Sequence, residues 1–235
     1  MKMGAHISPL ARQYIIDADI LFMAVSSGVF ALWLKELNPN CVDLQTFYGA
    51  EKNRKRTYQE MIEAILIEVR EGKNVCAAFY GHPGVFAWAP HEAINIAREE
   101  GYDAHMEPGI SAEDCLYSDL GIDPGKFGCQ HFEATQFLKY KRIVDPSAYL
   151  ILWQIGLTGE SNLGLEYTNK SKLEVLTKKL SKIYSLEHEV IIYESGHLVL
   201  EGFKRKTVTL DCLPETSTNL HSTLIIPPYR RLELE

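Results

Sequence analysis

An α/β fold is predicted by three observations. Short apolar runs alternate along the chain with segments of helical period. Several of the runs are continuously apolar rather than alternating, which suits strands covered on both faces of a largely parallel sheet. At 235 residues, with 46% hydrophobic and 23% charged residues, the chain is large enough to bury such a sheet without disulfides or metals.

The elements follow in order. Residues 9–17 read as a short helix and Ile20–Val25 as a strand. A helical pattern over Gly28–Leu37 stops at Asn38-Pro39, and Val42–Leu44 is short and extended. Thr57 and Glu60 form a capping-box pattern ahead of apolar positions 61, 62, 65, 66 and 69, with Gly72 as the stop, so a helix is expected from Thr57. Val75–Tyr80 is a strand and His91–Glu100 a helix; Tyr102–Met106 is expected to be a short strand. Ser111 and Asp114 mark the start of a helix ending at Gly121. Tyr149–Ile155 reads as a central strand, residues 170–184 as an amphipathic helix, and Val190–Tyr193 and Thr223–Ile226 as the last strands. The second half has longer loops that suit antiparallel strands. The boundary between two lobes is expected near Pro108–Ser111, dividing the chain into 1–109 and 110–235.

Charge and composition exclude several classes. Lys plus Arg number 24 against 31 Asp plus Glu, a formal charge of −7, and no basic stripe exists to bind nucleic acid. The densest basic run, Lys52–Arg56, reads as a solvated loop that can steer an acidic partner. No apolar run approaches the ~18 residues of a membrane span, and the first residues lack a signal peptide's apolar stretch. Cys41, Cys76, Cys115, Cys129 and Cys212 are odd in number and show no CxxC, so buried reduced thiols and a cytoplasmic location are expected. No phosphate loop, HExxH or GxSxG occurs; His188 and His197 flank a strand but read as ordinary histidines.

Two groups of residues carry the chemistry. Turns at Tyr80-Gly81-His82-Pro83-Gly84-Val85-Phe86 and Pro108-Gly109-Ile110-Ser111-Ala112 follow strands, where open α/β sheets bind ligands, and Trp153-Gln154 ends a third strand. Separately, Tyr48, Arg54 and Tyr58 gather near a helix N-terminus, where positive potential favours anions and a guanidinium lowers a phenol's pKa. Surface packing of tyrosines remains open as a reading of that spacing.

Taken together, LNPN (37–40), FY (47–48), KNRKRTYQEM (52–61), YGHPGVF (80–86), EPGISAEDCLYSDLGIDPG (107–125), LWQIG (152–156) and STLIIPP (222–228) resemble the borosin peptide backbone α-N-methyltransferases of the tetrapyrrole methylase superfamily. The resemblance implies the class III methyltransferase fold, two α/β lobes with S-adenosylmethionine in the cleft between them, and S-adenosylhomocysteine as product. It implies an interlocking homodimer that methylates backbone amides of a ribosomally made precursor. The chain ends soon after its last strand, so the split type is expected, with a separate precursor and a 2:2 heterotetramer as the fullest assembly. Carried over by motif, Tyr48, Arg54, Tyr58 and Tyr80 are the catalytic group. Tyr80, His82, Val85, Phe86, Ser111, Ala112, Gln154, Tyr193, Ser222 and Thr223 contact the cofactor, although Val85 and Phe86 also read as plain core and Ser222 and Thr223 as a plain strand start. No metal is implied. One departure stands out: the family begins with an apolar strand and a Gly-x-Gly loop, and residue 1 here falls just after that loop; either this chain lacks its natural start, the favoured reading, or the first strand is absent, which exposes its neighbours' edges. A tetrapyrrole-type small-molecule methyltransferase and a non-catalytic peptide-binding module are the alternative readings.

Overall fold

The computed structural model describes residues 2, 4–25, 27–49, 52–158, 170–196 and 200–233. The chain forms two compact units, dividing after Ala112.

In the first unit, helix α1 (Pro9–Asp17) begins at Ser8, whose Oγ accepts from the Ala11 N–H at 3.0 Å, with proline in the first turn where no N–H is needed. Strand β1 (Ile20–Ala24) follows, then α2 (Gly28–Leu37), β2 (Cys41–Asp43), α3 (Arg54–Arg70), β3 (Val75–Phe79) and α4 (Trp88–Glu99). The three strands form a parallel sheet in the order β2-β1-β3. Period-two alternation sorts its faces. Leu21 and Met23 pack with Ile15, Phe30 and Leu34, and Tyr80 joins them. Ile20 and Phe22 pack on Met61 and Ile65 of α3, together with Phe79, Tyr48 and Tyr58. Buried Asn38 ends α2 and donates its amide to the carbonyls of Ile15 and Ala18, at 2.9 and 2.8 Å, so the helix stop also fixes α1.

Three expectations are corrected here. Helix α3 starts at Arg54, not Thr57: Asn53 is the cap, its side chain accepting from the Lys55 N–H at 2.8 Å. Thr57 is buried one turn in, and Glu60 turns to Lys52 and Arg56 instead of back to the helix start. Residues 102–106 form no strand, because they have no ladder partner among the described residues. They line a groove of about 500 Å³ that β3 also lines, so the two stand apart. Asn74 O and Tyr80 N bond to the β1 side, which leaves the N–H and C=O groups of Val75, Ala77 and Phe79 directed away from it. Helix α4 also starts earlier than read, at Trp88, with Pro90 tolerated in its first turn.

The second unit contains α5 (Ala112–Leu120), α6 (Pro124–Phe127), β4 (Cys129–Glu133), α7 (Ala134–Lys139), β5 (Tyr149–Trp153), α8 (Lys170–Leu180), β6 (Glu189–Glu194), β7 (Lys204–Thr209) and β8 (Thr223–Ile226). Its sheet runs β4-β5-β8-β6-β7; β4 and β5 are parallel and the other pairs antiparallel. Leu150 and Leu152 of β5 and Leu224 and Ile226 of β8 pack on Leu173, Leu176 and Leu180 of α8. Ile151, Trp153, Tyr193 and Ile225 face the other way, against Leu116 of α5.

The thiols depart from the reading as buried. Cys212 is exposed and the other four are half-buried; none of the five is in a disulfide. Among the described residues no helix is long and apolar enough to cross a membrane. His188 stacks on Tyr184 and its Nε2 lies 3.0 Å from the Pro227 carbonyl; His197 lies outside the described residues.

Candidate functional site

The start of α3 brings three of the four expected catalytic side chains together. Because the helix begins at Arg54, Arg54 and Tyr58 are four residues apart and share one face. Tyr48 closes the preceding 3-10 turn, its N–H donating to the Gln45 carbonyl at 3.1 Å. The Tyr48 and Tyr58 rings meet edge to face, 6.4 Å between centroids. Lys52 Nζ donates to the Phe47 carbonyl at 3.0 Å and to Glu60, clamping this loop onto α3. Lys52 and Arg56 hold the Glu60 carboxyl below its usual pKa, so two cations of the basic run are engaged by one acid. Tyr80 is not in this group. It extends from β3 to the opposite face of the sheet, where its ring packs against Phe30 at 5.7 Å.

Electrostatics separates Tyr48 from the simple expectation that a guanidinium lowers a phenol's pKa. Burial pushes the Tyr48 pKa well above the ordinary phenol value, the neighbouring Tyr58 pushes it further, and the Arg54 guanidinium pulls it down by less. Desolvation wins, so Tyr48 is a neutral hydrogen-bond donor. Arg54 Nε is buried with no hydrogen-bond partner among the described residues. A buried donor left unpaired is costly, and an incoming acceptor such as a carbonyl oxygen removes that cost. Trp88, at the start of α4, lies 6.3 Å from the Tyr58 ring and 41% exposed. It was not singled out from the sequence, although it directly follows the YGHPGVFA run.

The two Gly-Pro turns come together. A Cβ on Gly109 would overlap the Gly81 carbonyl oxygen, so this close approach needs glycine. Gly81 itself has φ 92°. His82 Nδ1 accepts from the Gly84 N–H at 3.0 Å, and His91 Nε2 lies 2.9 Å from the Gly84 carbonyl, so two imidazoles brace the loop. Val85 and Phe86 are exposed, at 36% and 58%, which removes their reading as plain core. Phe86 has φ 52° in the left-handed region, strained for an aromatic residue.

In the second unit another corner forms. Gln154 has φ 57° and an exposed side chain directly after β5. Phe86 and Gln154 are the non-glycine residues of positive φ among the described residues, and both lie in the expected cofactor motifs. A Cβ on Gly156 would overlap the Asn219 carbonyl, and Ile155 N donates to Ser222 O at 3.0 Å, which joins the Gln154 turn to residues 219–222. Ser222 is fully buried; its Oγ donates to Glu194 and accepts from the Asn219 N–H, at 2.7 and 2.8 Å. Tyr193 donates to Asp119 on α5 at 2.6 Å and stands opposite Thr223 in the ladder. Ser222 and Tyr193 therefore spend these bonds on the framework. Ser111 is buried immediately before α5, and Ala112 is its exposed first residue.

Each unit thus presents one exposed, glycine-bounded corner. In the first unit backbone approaches closely at Gly109, which tolerates no Cβ, and strained backbone holds Phe86 toward solvent; in the second, Gly156 tolerates no Cβ and strained backbone holds Gln154 toward solvent.

Residues 4–201 match the family of tetrapyrrole (corrin/porphyrin) methylases. The chain is 40% identical over 232 residues, 95% of its length, to a protein of Coprinopsis marcescibilis named as a methyltransferase/ribosomally synthesized type I borosin cyclic peptide precursor, and covers 59% of it. It is 40% identical over 244 residues to a methyltransferase/gymnopeptides precursor of Gymnopus fusipes, covering 98% of this chain and 58% of that one. The chain thus spans less than two thirds of these relatives. Among solved structures, a cobalt precorrin-4 methyltransferase aligns over 96% of this chain and 90% of its own, with TM-score 0.66 at 14% identity. A uroporphyrin-III C-methyltransferase of Thermus thermophilus aligns over 97% and 91%, with TM-score 0.66 at 16% identity. At those identities the two structures speak for the fold alone.

Proposed function

The chain belongs to the tetrapyrrole methylase family, and from that premise we propose that it is an S-adenosylmethionine-dependent methyltransferase acting on backbone amide nitrogens of a separate ribosomally made peptide. The observation that carries the choice of substrate is the buried, unpartnered Arg54 Nε beside two tyrosines. The relatives named as borosin precursors support the same choice.

The chemistry follows from the weakness of the nucleophile. An amide nitrogen is planar by resonance and its lone pair is delocalised into the carbonyl. Losing the N–H proton makes it reactive and moves negative charge onto the amide oxygen. In this reading the Tyr58 oxygen accepts that proton while its own phenol proton passes on to solvent. Arg54 donates Nε–H to the amide oxygen, and neutral Tyr48 donates a second hydrogen bond, both strengthening as charge develops. Bound S-adenosylmethionine supplies the electrophilic methyl group. Tyr80, His82, Val85, Phe86, Ser111, Ala112 and Gln154 are the residues assigned to hold it, with Tyr193, Ser222 and Thr223 bracing the Gln154 corner. A polycarboxylate tetrapyrrole is a poorer substrate here, because Glu60 engages Lys52 and Arg56 beside Arg54. A homodimer, with two precursors as the fullest assembly, belongs to the same proposal and is read by light scattering with and without precursor.

The test incubates the full chain with S-adenosylmethionine and a precursor peptide of apolar core, followed by tandem mass spectrometry. Methyl groups on backbone nitrogens are expected, and none with Tyr58→Phe, whose calorimetric affinity for S-adenosylhomocysteine stays that of the wild type. Methylation of a porphyrinoid but not of the peptide refutes the substrate; cofactor binding without any transfer supports a peptide-binding module instead.

A further inference from the structure

A polar cluster in the second unit is used by none of the chemistry above. Trp153 Nε1, which can only donate, lies 3.3 Å from His131 Nδ1, and the two rings stack at 14° with centroids 5.9 Å apart. That fixes the tautomer: Nδ1 accepts and the proton sits on Nε2. His131 Nε2 is 2.9 Å from Tyr117 Oη, and Tyr117 in turn donates to Glu113 Oε1 at 2.8 Å. The donors and acceptors close in one sense only, from Trp153 to neutral His131 to Tyr117 to Glu113. His131 is on β4, Trp153 ends β5 directly before Gln154, and Tyr117 and Glu113 are on α5 directly after Ser111. One imidazole therefore ties together two chain segments that carry assigned cofactor contacts.

We propose that His131, in its neutral Nε2–H form, is a positioning residue that sets the Gln154 corner and the first turn of α5 for cofactor binding. The inference rests on the proposed function for what is bound at those segments, and adds how they are held.

The geometry gives the arrangement a pH sign. Protonating Nδ1 turns an acceptor into a donor aimed at the Trp153 N–H, and the chain of bonds opens. The groups facing the ring are Trp153 from β5, Tyr117 and Glu113 from α5, and Cys129 from its own strand beside Tyr117. Glu133, two residues along β4, is turned away to cap α7 through the Gln136 N–H at 2.7 Å. Burial lowers the His131 pKa, and the Glu113 carboxylate, 3.4 Å from Nε2, opposes that by less. The latch is thus closed above the lowered value and opens as pH falls through it.

The test titrates the full chain with S-adenosylhomocysteine by calorimetry at pH values on either side of about 6.5, the ordinary histidine value, and below it. Wild type, His131→Asn and Tyr117→Phe are compared, with thermal unfolding as the control for fold. Wild-type affinity is expected to fall on acidification. Loss of one buried hydrogen bond at the latch is expected to weaken binding roughly tenfold in each variant at neutral pH, with the acid dependence flattened in His131→Asn. A second readout needs no variant to fold: protonated imidazole quenches a stacked indole, so wild-type tryptophan fluorescence is expected to drop with the same midpoint as the affinity. Variants that bind like wild type at every pH overturn the positioning role, as does wild-type fluorescence that does not follow the affinity. Wild type that binds no S-adenosylhomocysteine at any pH overturns the cofactor reading itself, and this inference with it.

Discussion

Replacing Arg54 separates its roles in stability and in chemistry. Among the described residues its Nε–H is buried and unpaired, a state that costs about 1–3 kcal/mol. Arg54→Ala removes that donor, and the lost packing of the arginine stem offsets part of the gain. Each kcal/mol shifts Tm by roughly 2–4 °C in a chain of this size, so Tm is expected to stay within a few degrees of wild type or to rise. Catalysis is expected to behave oppositely. Removing a donor aimed at developing oxyanion charge typically costs ~10²–10³ in rate, so kcat falls by that factor. Affinity for S-adenosylhomocysteine, held by other residues, stays. Arg54→Lys keeps the charge but not the planar fork, and at the first helical position its ammonium does not reproduce Nε. It is expected to recover only a small part of the rate. Single-turnover methylation of a precursor peptide read by mass spectrometry, calorimetry and thermal unfolding form the assay set. Wild-type rate in Arg54→Ala refutes the oxyanion role; lost cofactor binding with normal folding shows that Arg54 serves the cofactor instead.

Three further outcomes follow from the geometry. Gly156→Ala forces a methyl into the Asn219 carbonyl, with an expected loss of roughly 1–3 kcal/mol in denaturant unfolding and weaker cofactor binding, whereas Gly28→Ala, with open space around it, stays neutral or gains stability. Gln154→Gly relieves a left-handed residue, so Tm is expected to rise by the equivalent of about 1 kcal/mol while calorimetric affinity for S-adenosylhomocysteine falls. Tyr48→Phe lowers kcat but leaves the shape of the pH–rate profile unchanged below about pH 10, the ordinary phenol value, because Tyr48 titrates above it. The raised folded value also means that Tyr48's contribution to stability is whole below the unfolded pKa and lost only as pH rises beyond it.

Much of the framework was legible because buried parallel strands and capped amphipathic helices write themselves as local patterns. Ile20–Ala24, Val75–Phe79 and Tyr149–Trp153 are apolar on both faces, and their ranges were read nearly to the residue. Strands β4 and β7 escaped because their sequences, CQHFE and KRKTVT, are polar and half-buried or exposed; partners across the sheet, not local pattern, make them strands. Tyr102–Met106 failed for the converse reason, a strand-like run without a neighbour to pair with. The shift of the α3 start from Thr57 to Arg54 mattered most for the site. Asn53 caps the helix instead, and Thr57 and Glu60 have other uses in the packed fold. The motifs marked the Arg–Tyr group and both glycine turns. They did not tell that Tyr80 lies on the other face of the sheet, that Phe86 and Gln154 are left-handed, or that Ser222 and Tyr193 spend hydroxyl bonds internally.

Those unread features share a physical meaning. An unpaired buried N–H at Arg54 and positive φ at Phe86 and Gln154 each disfavour the unliganded fold, by about 1–3 kcal/mol apiece. In a chain selected for stability alone, glycine or asparagine at positions 86 and 154 and an apolar residue at 54 are the better choices. Such costs persist where the surrounding structure over-determines them, and here they fall on motif loops rather than scattering over the core. Ligand binding to the folded chain alone adds about 2.7 kcal/mol of stability at a hundredfold excess over Kd, comparable with the cost at any one of these positions. The strained turns and the unpaired Arg54 Nε are then two separate reservoirs. Closure of the Arg54 hydrogen bond calls for an acceptor that arrives with the peptide, and this is why substrate, rather than cofactor, is the ligand expected to complete the Tyr48–Arg54–Tyr58 group.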